Sequence, residues 1–288
     1  YYNRKPTTDN NDKFGLASRS DSKVTPGITL TLSPSKQLSF YASVQTGYRP
    51  PFLDELYTSI EYPEFGMYSV VLPNPDLKPE ESINVEIGVN GDYKSLFSDS
   101  DRFVFHANVF RDRVKNLINA GATGDMDFTD DGDMILYYSI DNVGKALKTG
   151  FEASADYYPG NADFHLSYGY LHAEDKNTGE KIPGLTPMQA TLRAGYTYKP
   201  WNVNGWYRMR LFKGGKSNLE TARNSGEYKQ LGGFATHTLG LTWKPQIKDW
   251  ADFTLTFSVD NITNKKFRYL NGGYGVGRSY RAWLSATF

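Results

Sequence analysis

The sequence predicts an all-β protein, a transmembrane antiparallel up-and-down β-barrel. Three observations predict it: apolar and polar residues alternate with period two, short and long connections take turns, and the composition is unusual. Aromatic residues make up 15% of the 288 residues, yet the mean hydropathy is −0.56. Aromatic girdles around an otherwise alternating β-structure produce this combination of many rings and overall polarity.

The alternation defines about eleven strands, while helical periodicity is nearly absent. In one segment Phe40, Ala42 and Val44 alternate with polar residues, and the final segment alternates from Tyr280 to the aromatic residue Phe288. The predicted strands are 28–34, 38–47, 81–93, 102–117, 135–158, 162–173, 187–198, 203–213, 230–244, 251–260 and 277–288.

The connections between these strands fall into two classes that alternate along the chain. The long ones are 48–80, 118–134, 174–186, 214–229 and 261–276, and the intervening ones are short. Because successive turns of an up-and-down sheet lie at opposite ends, one end carries only tight turns and the other only long loops. Outer-membrane barrels show this asymmetry, with short periplasmic turns and long extracellular loops. A soluble all-β fold is the alternative, but a sandwich would more often show Greek-key connections.

The odd strand count indicates half of a larger barrel, because a closed bacterial barrel has an even number of strands. Other classes are excluded by composition. The 32 basic and 32 acidic residues give a net charge of zero, which argues against a strongly basic nucleic-acid binder. The absence of cysteine removes disulfides and thiolate metal sites. Nothing in the spacing of Ser, His and Asp singles out a catalytic triad, so we expect no enzyme.

Two short motifs flank the first long connection. They are Tyr48-Arg49-Pro50-Pro51 and Asn74-Pro75-Asp76-Leu77, and Lys78-Pro79-Glu80 follows the second. They resemble the FRAP-like and NPNL-like boxes of TonB-dependent outer-membrane receptors. Residues 142–152 and 259–267 resemble other barrel segments of these receptors, so the resemblance covers essentially the whole chain.

The resemblance implies a 22-stranded barrel with a plugged lumen. Residues 1–288 would be the C-terminal portion of that barrel, and the plug domain and first barrel strands would be absent from this sequence. It implies the outer membrane of a Gram-negative bacterium as the location. The implied partners are the TonB complex acting through the missing plug, the remainder of the receptor chain, outer-membrane lipid, lipopolysaccharide and a haem-carrier protein, with no nucleic acid. No permanently bound cofactor is expected, and haem or a ferric siderophore is the expected cargo.

The resemblance also points to candidate ligand residues. Haem receptors of this family carry the two boxes with an iron ligand, often His, between them. Residues 52–73 contain no His but three tyrosines, and a Tyr phenolate is a known ligand of haem iron. The expected ligand-binding residues are Tyr62, Tyr68, Tyr57, Arg49, Asn74 and Asp76, with Tyr62 and Tyr68 as candidate haem-iron ligands.

Several alternatives stay open. A ferric-siderophore receptor could use Trp206, Tyr207, Arg208 and Arg210, although these also fit an interfacial girdle. A passive porin-like barrel is a further alternative. Alternation places His106 and His165 on the lumen side, His172 near the extracellular end and His237 in an ambiguous position. The acidic segment 125–133 fits either a Ca²⁺ loop or a solvated loop tip.

Overall fold

The computed structural model describes residues 2–4, 18–57, 59–64, 67–142, 144–220, 227–245 and 252–287. Among these residues there is one short α-helix, α1 (Leu53–Tyr57), and no helix long and apolar enough to cross a membrane. The strands are β1 (Tyr2–Arg4), β2 (Arg19–Asp21), β3 (Gly27–Leu32), β4 (Leu38–Arg49), β5 (Ile60–Glu64), β6 (Met67–Leu72), β7 (Glu80–Lys94), β8 (Asp101–Lys115), β9 (Ile118–Phe128), β10 (Met134–Asn142), β11 (Lys145–Pro159), β12 (Ala162–Asp175), β13 (Met188–Tyr198), β14 (Val203–Phe212), β15 (Gly215–Glu220), β16 (Tyr228–Leu231), β17 (Phe234–Trp243), β18 (Asp252–Asp260) and β19 (Ser279–Thr287).

Eleven of these strands form one curved sheet in the order β3-β4-β7-β8-β11-β12-β13-β14-β17-β18-β19. Every pair of neighbours in it is antiparallel and follows in sequence once the loop strands are set aside. The predicted all-β, up-and-down architecture with about eleven strands is confirmed. Phe288, the predicted aromatic end of the last strand, lies outside the described residues.

The connections of this sheet alternate as the sequence predicted. The connections from β3 to β4, β7 to β8, β11 to β12, β13 to β14 and β17 to β18 join strands at one end of the sheet, which we call the turn end. The connections from β4 to β7, β8 to β11, β12 to β13, β14 to β17 and β18 to β19 join strands at the other end, which we call the loop end. Among the described residues, most of the irregular chain lies at the loop end, and a ligand site is expected there on this fold.

The two faces of the sheet differ in polarity. In the register Ile87 lies opposite Val109, and Val109 lies opposite Phe151, so these side chains share one face. We call it the outer face, and its apolar stripe the apolar belt. Among the exposed members of the belt are Phe40, Val44, Val85, Ile87, Val109, Phe151, Leu166, Leu192, Leu239, Leu241, Phe257 and Leu284. The opposite, inner face carries mostly polar side chains, which is the arrangement of a membrane barrel wall.

One predicted strand is wrong. Segment 135–158 is two strands, β10 and β11, and β10 belongs to a second sheet at the loop end with the order β5-β6-β10-β9. The break falls at Gly144, whose φ of +127° few other residues adopt, and a Cβ there would come within 1.8 Å of Asn177. Alternation continues on both sides of this break, so the pattern alone could not separate the strands. Predicted strand 230–244 is likewise interrupted, between β16 and β17.

Asp101 closes the turn between β7 and β8. Its carboxylate accepts hydrogen bonds from the backbone N–H groups of residues 96–98 at 2.8–3.0 Å and from the Tyr157 hydroxyl at 3.2 Å. Burial works to raise the pKa of this carboxyl, but these four donors outweigh it and hold the pKa below its ordinary value. The anion thus satisfies backbone groups that the tight turn leaves without strand partners.

This turn should loosen in acid. Because the folded pKa of Asp101 is lowered, its contribution to stability is present above the unfolded pKa of about 4 and is lost as pH falls through the folded pKa. Hydrogen exchange of residues 95–100, corrected for intrinsic rates, should show less protection at pH 3 than at pH 6. The Asp101→Asn variant should lose this pH dependence. Equal protection of the wild-type turn at both pH values would contradict the assignment.

Candidate functional site

Arg49 joins the two ends of the 50–79 loop. Its guanidinium donates to both carboxylate oxygens of Glu55, at 2.9 and 3.0 Å, and to Glu80 at 2.6 Å. Glu80 also accepts the backbone N–H of Ile118 at 2.9 Å. The Glu55 carboxylate in turn accepts the N–H of Phe52 at 2.7 Å, one turn before it. We call this set of contacts the arginine clamp. Because Ile118 is the first residue of β9, the clamp also fixes the start of that strand.

The charges of the arginine clamp stabilise one another. The hydrogen bond to Glu80 raises the pKa of the Arg49 guanidinium, and the bond to Glu55 adds to the effect. Burial works to raise the pKa of Glu80, but the Arg49 and Ile118 donors together lower it. Both groups therefore stay charged at any physiological pH, and Arg49 is held by the protein in these contacts.

Asn74 and Asn142 tie the second box to β10. The side-chain amide of Asn74 donates to the Ile140 carbonyl at 2.9 Å and to Asp141 at 2.8 Å. Asn142 accepts the Lys78 N–H at 2.7 Å and donates to the Lys78 carbonyl at 2.8 Å. A side chain paired in this way replaces the missing strand partners of the loop backbone.

Asp76 occupies a tight Asx turn in the same box. Its backbone N–H donates to the Asn74 side-chain oxygen at 3.1 Å. Its carboxylate is exposed and has no ion-pair or hydrogen-bond partner among the described residues. Of the two residues of this box expected to bind ligand, Asn74 is held by protein partners, whereas the exposed Asp76 carboxylate is open to solution.

A small apolar core lies beneath the β5-β6-β10-β9 sheet, which we call the loop sheet. It consists of Leu56, Tyr57, Leu77 and Ile118, and Ile140 packs against it. Leu56 is 0% exposed and Tyr57 is 3% exposed. Tyr57, predicted as a third ligand residue, therefore packs inside the unit formed by α1 and the loop sheet, which we call the loop module, rather than on its surface.

Tyr68 lies on β6, which pairs with both β5 and β10. In the β5–β6 register Tyr62 is paired with Ser69, the residue after Tyr68. Tyr62 and Tyr68 are therefore not paired with each other across the two strands. The parallel β6–β10 pairing sets Tyr68 opposite Ile135, and Tyr137 is two residues further along β10 on the same face. Ile140, on the alternate positions of β10, packs on the core. Tyr68 and Tyr137 thus share the face of the loop sheet opposite the core.

Tyr137 was missed in the sequence, because it lies 69 positions from Tyr68 and was assigned to a long barrel strand. No local signal distinguishes it among 21 tyrosines. Only the parallel pairing of β6 and β10 brings it to this face, where diagonal neighbours lie roughly 7–8 Å apart.

The residues predicted for siderophore binding divide between the two faces of β14. On the inner face Trp206 lies between Arg193, at 5.4 Å, and Arg208, at 5.7 Å. On the outer face Tyr207 contacts His237, with Oη and Nδ1 2.5 Å apart. Trp206 lies in the turn-end half of the strand, away from the loops.

Five buried polar atoms have no hydrogen-bond partner among the described residues, and all five side chains lie on the inner face. They are Asn108 Oδ1, Asp112 Oδ1, Arg208 Nε, Arg210 Nε and Thr236 Oγ1. Buried polar groups are nearly always paired. We therefore expect polar groups outside the described residues to form hydrogen bonds with these atoms on the inner face.

The histidines and the acidic segment show no metal site. His106 and His165 lie on the inner face, as alternation predicted, and contact Asn90 at 2.7 Å and Asp156 at 2.8 Å. His237 lies on the outer face, opposite Met209. Over the part of the chain that the structure describes, which includes 125–133, no group of three or more His, Cys, Asp or Glu is arranged to hold a metal ion.

Residues 1–262 match the family model of the TonB-dependent receptor-like β-barrel. The chain belongs to this family. The family resemblance inferred from the two boxes is confirmed, and the family is one of transport receptors rather than enzymes.

Curated relatives extend the comparison. The chain is 24% identical over 264 residues to heme/hemopexin utilization protein C of Haemophilus influenzae strain 86-028NP, covering 86% of this chain and 35% of that protein. It is 26% identical to the hemin receptor of Yersinia enterocolitica, covering 89% of this chain and 37% of the relative. The chain thus spans about a third of the length of these relatives.

Solved receptor structures share the fold. A ferric enterobactin receptor, PfeA, from Pseudomonas aeruginosa superposes with a TM-score of 0.69 at 21% identity, covering 92% of this chain and 40% of that one. The FrpB iron transporter of Neisseria meningitidis gives a TM-score of 0.65 at 19% identity, covering 93% and 40%. At these identities the likeness establishes the barrel architecture alone.

Proposed function

We propose that this chain forms part of the barrel wall and the ligand-binding loops of an outer-membrane receptor that imports haem with energy from TonB. The observation that carries the proposal is the face of the loop sheet with Tyr68 and Tyr137, at the loop end of a TonB-dependent receptor barrel. Relatives named as a heme/hemopexin utilization protein, a hemin receptor and a TonB-dependent heme receptor support the choice of cargo.

Tyr68 is the proposed iron ligand. A phenolate binds ferric haem as an axial ligand, and Tyr68 is half-buried on a sheet whose position is fixed from beneath by the small core. In this proposal Tyr137, on the same face, contacts the porphyrin or orients the first phenol. Tyr62 remains a candidate ligand, at the alternate position of the neighbouring strand.

The two boxes hold this sheet in place. The arginine clamp and the Asn74 and Asn142 contacts join both ends of the 50–79 loop to the barrel and to β10. A loop with fixed ends loses less conformational entropy on binding its ligand. In this proposal Arg49 and Asn74 act as positioning residues, and Asp76, whose exposed carboxylate has no partner among the described residues, contacts the ligand.

The rest of the receptor completes the assembly. The unpaired polar atoms on the inner face are proposed to bind a plug domain supplied by the remainder of the receptor chain, through which TonB acts. The cargo is haem, with no permanently bound cofactor, and delivery by a haem-carrier protein is compatible with the exposed loop end.

Haem titration of the complete receptor in detergent tests the proposal. We expect a saturable Soret shift in the wild type. In Tyr68→Phe, haem affinity should fall at least tenfold and the charge-transfer bands should change, because the oxygen ligand is lost. Tyr62→Phe and Tyr137→Phe are measured beside it. The matched control is Tyr196→Phe, which alters an exposed tyrosine on the outer face.

Two outcomes would contradict this reading. Absence of any saturable shift would rule out haem as the cargo. A normal shift in all three loop variants would leave haem as cargo but remove the tyrosine ligand.

A ferric-siderophore receptor is the second candidate, and the inner-face arginines favour it. Arg208 and Arg210 each carry a buried Nε without a partner among the described residues, and Trp206 lies beside Arg208. Ferric siderophores are anionic, so such a wall could attract them electrostatically. If haem fails to bind, titration with ferric catecholate and hydroxamate complexes, monitored by tryptophan fluorescence, is the discriminating experiment.

A further inference from the structure

Arg19 links the segment ahead of the barrel sheet to the second box. It lies on β2, which pairs with β1 and precedes β3, the first strand of the barrel sheet in chain order. The guanidinium Nη1 of Arg19 donates to the carbonyl oxygen of Pro75 at 3.2 Å and also to that of Leu77. These contacts span 56 and 58 positions of the chain, so only the folded protein brings the groups together.

The Arg19 side chain is itself held in place. Its Nε and Nη2 groups donate to one carboxylate oxygen of Asp21, at 3.2 and 3.0 Å. The Arg19 side chain is 25% exposed and that of Asp21 is 11% exposed. Because the guanidinium is planar and rigid, the contact with Asp21 fixes the direction in which Nη1 points. Nη1 carries two hydrogens and can therefore donate to both carbonyl groups at once.

The two carbonyl groups lie on either side of Asp76. One belongs to Pro75, the residue before it, and the other to Leu77, the residue after it. The backbone N–H of Asp76 donates to the Asn74 side chain, and the Leu77 side chain is 1% exposed in the small core. The backbone is thus held on both sides of Asp76, while the Asp76 carboxylate is exposed. Arg19 therefore helps to determine where this carboxylate points.

Lys23 makes a second contact from the same segment, but of a different kind. Its ammonium group donates to Glu81 at 2.6 Å, and the two side chains are 45% and 44% exposed. Glu81 lies on β7, beyond the second box. Such an exposed ion pair contributes little to stability, because solvent screens it. Lys23 is therefore a matched control for Arg19, since its ion pair does not involve the backbone of the box.

We propose that Arg19 is a positioning residue of the ligand site. By holding the carbonyl groups before and after Asp76, it directs the Asp76 carboxylate toward the cargo. This inference rests on the proposed function, in which Asp76 contacts the ligand. It adds that the segment ahead of β3 shapes the site, because loss of the Arg19 guanidinium would release the backbone on both sides of Asp76.

A nitroxide label at position 76 tests whether Arg19 holds this backbone. Residues 1–288 contain no cysteine, so Asp76→Cys supplies a single labelling site once any cysteine elsewhere in the complete receptor is replaced. Electron paramagnetic resonance of the receptor in detergent measures the mobile fraction of the label. We expect Arg19→Gln to raise this fraction at least twofold and the control Lys23→Gln to leave it unchanged. Hydrogen exchange of β11 to β14 should be the same in every variant, which verifies that the barrel is folded.

A double-mutant cycle tests whether Arg19 acts through Asp76. Haem affinity is measured for the wild type, Arg19→Gln, Asp76→Asn and the double variant. Because the effects of coupled residues are not additive, Arg19→Gln should weaken binding about fivefold when Asp76 is present and less than twofold in the Asp76→Asn background. The charge-transfer bands should stay unchanged, since neither residue contacts the iron in our proposal.

Two results would overturn the proposal. Equal label mobility with and without the Arg19 guanidinium would show that other contacts hold Asp76. Equal effects of Arg19→Gln in both backgrounds of the cycle would show that Arg19 acts independently of Asp76. If the wild type binds no haem, the proposed function fails, and the label mobility still decides whether Arg19 positions Asp76.

Discussion

Proteolysis of the 50–79 loop will accelerate about thirtyfold when Arg49 is replaced by glutamine. The substitution removes the partner of both Glu55 and Glu80 and leaves two half-buried carboxylates close together. Removing one member of a fully buried ion pair costs roughly 3–5 kcal/mol. Because Arg49 is 32% exposed, solvent screening reduces this to about 2 kcal/mol of local opening free energy. Each 1.4 kcal/mol corresponds to about tenfold in an equilibrium constant.

Limited proteolysis of the complete receptor, with cleavage sites identified by mass spectrometry, measures this effect. The matched control is Arg102→Gln at the turn end. Arg102 also makes a bidentate pair, with Asp92, but both side chains are about half exposed. An exposed ion pair contributes little to stability because solvent screens it, so the control should change cleavage by less than fivefold. If Arg49→Gln behaves like Arg102→Gln, the arginine clamp does not hold the loop.

The clamp variant should also weaken ligand binding without altering the ligand's spectrum. Arg49 positions the loop rather than contacting the cargo in our proposal. The haem complex of Arg49→Gln should therefore keep the wild-type charge-transfer bands while its affinity falls. A changed spectrum would place Arg49 beside the iron.

Leu56→Ala is expected to have a still larger effect on the same loop module. Leu56 is fully buried in the small core beneath the loop sheet. Truncating a buried leucine costs about 2–5 kcal/mol, the higher values arising where the cavity does not collapse. A value of about 3 kcal/mol would raise the open population of the loop module about a hundredfold.

Hydrogen exchange of β6 and β10 measures this opening, because their pairing depends on the core below. Leu56→Met is the control, since a swap of similar volume usually costs less than about 1.5 kcal/mol. The barrel strands β11 to β14 should keep wild-type protection in both variants. Equal exchange of β6 in the alanine and methionine variants would mean that the core does not support the loop sheet.

Much of the barrel wall could be predicted from sequence because one physical rule determines it. A strand with lipid on one face and a polar lumen on the other must alternate, as Phe40 to Val44 and Tyr280 to Ala286 do. The same rule placed His106 and His165 on the inner face. It was insufficient at Gly144, where alternation continues from β10 into β11 although the two strands belong to different sheets.

The candidate site was less predictable, because its residues meet through contacts distant in sequence. Arg49 and Asn74 were expected to contact ligand, and the structure gives them protein partners up to 67 positions away. Tyr57 was the third of three candidate tyrosines, and the structure places it in the small core. Tyr68 and Tyr62 as iron ligands remain predictions.

By itself the sequence determined the architecture of the wall, the separation of turns from loops and, through its two boxes, the receptor family. These follow from local periodicity and from short motifs, which one stretch of chain contains. Only the tertiary structure decided which tyrosines share a face and which box residues are held by the protein. Those properties depend on strand register and loop packing, and a shift of one residue in register would reverse every facing side chain.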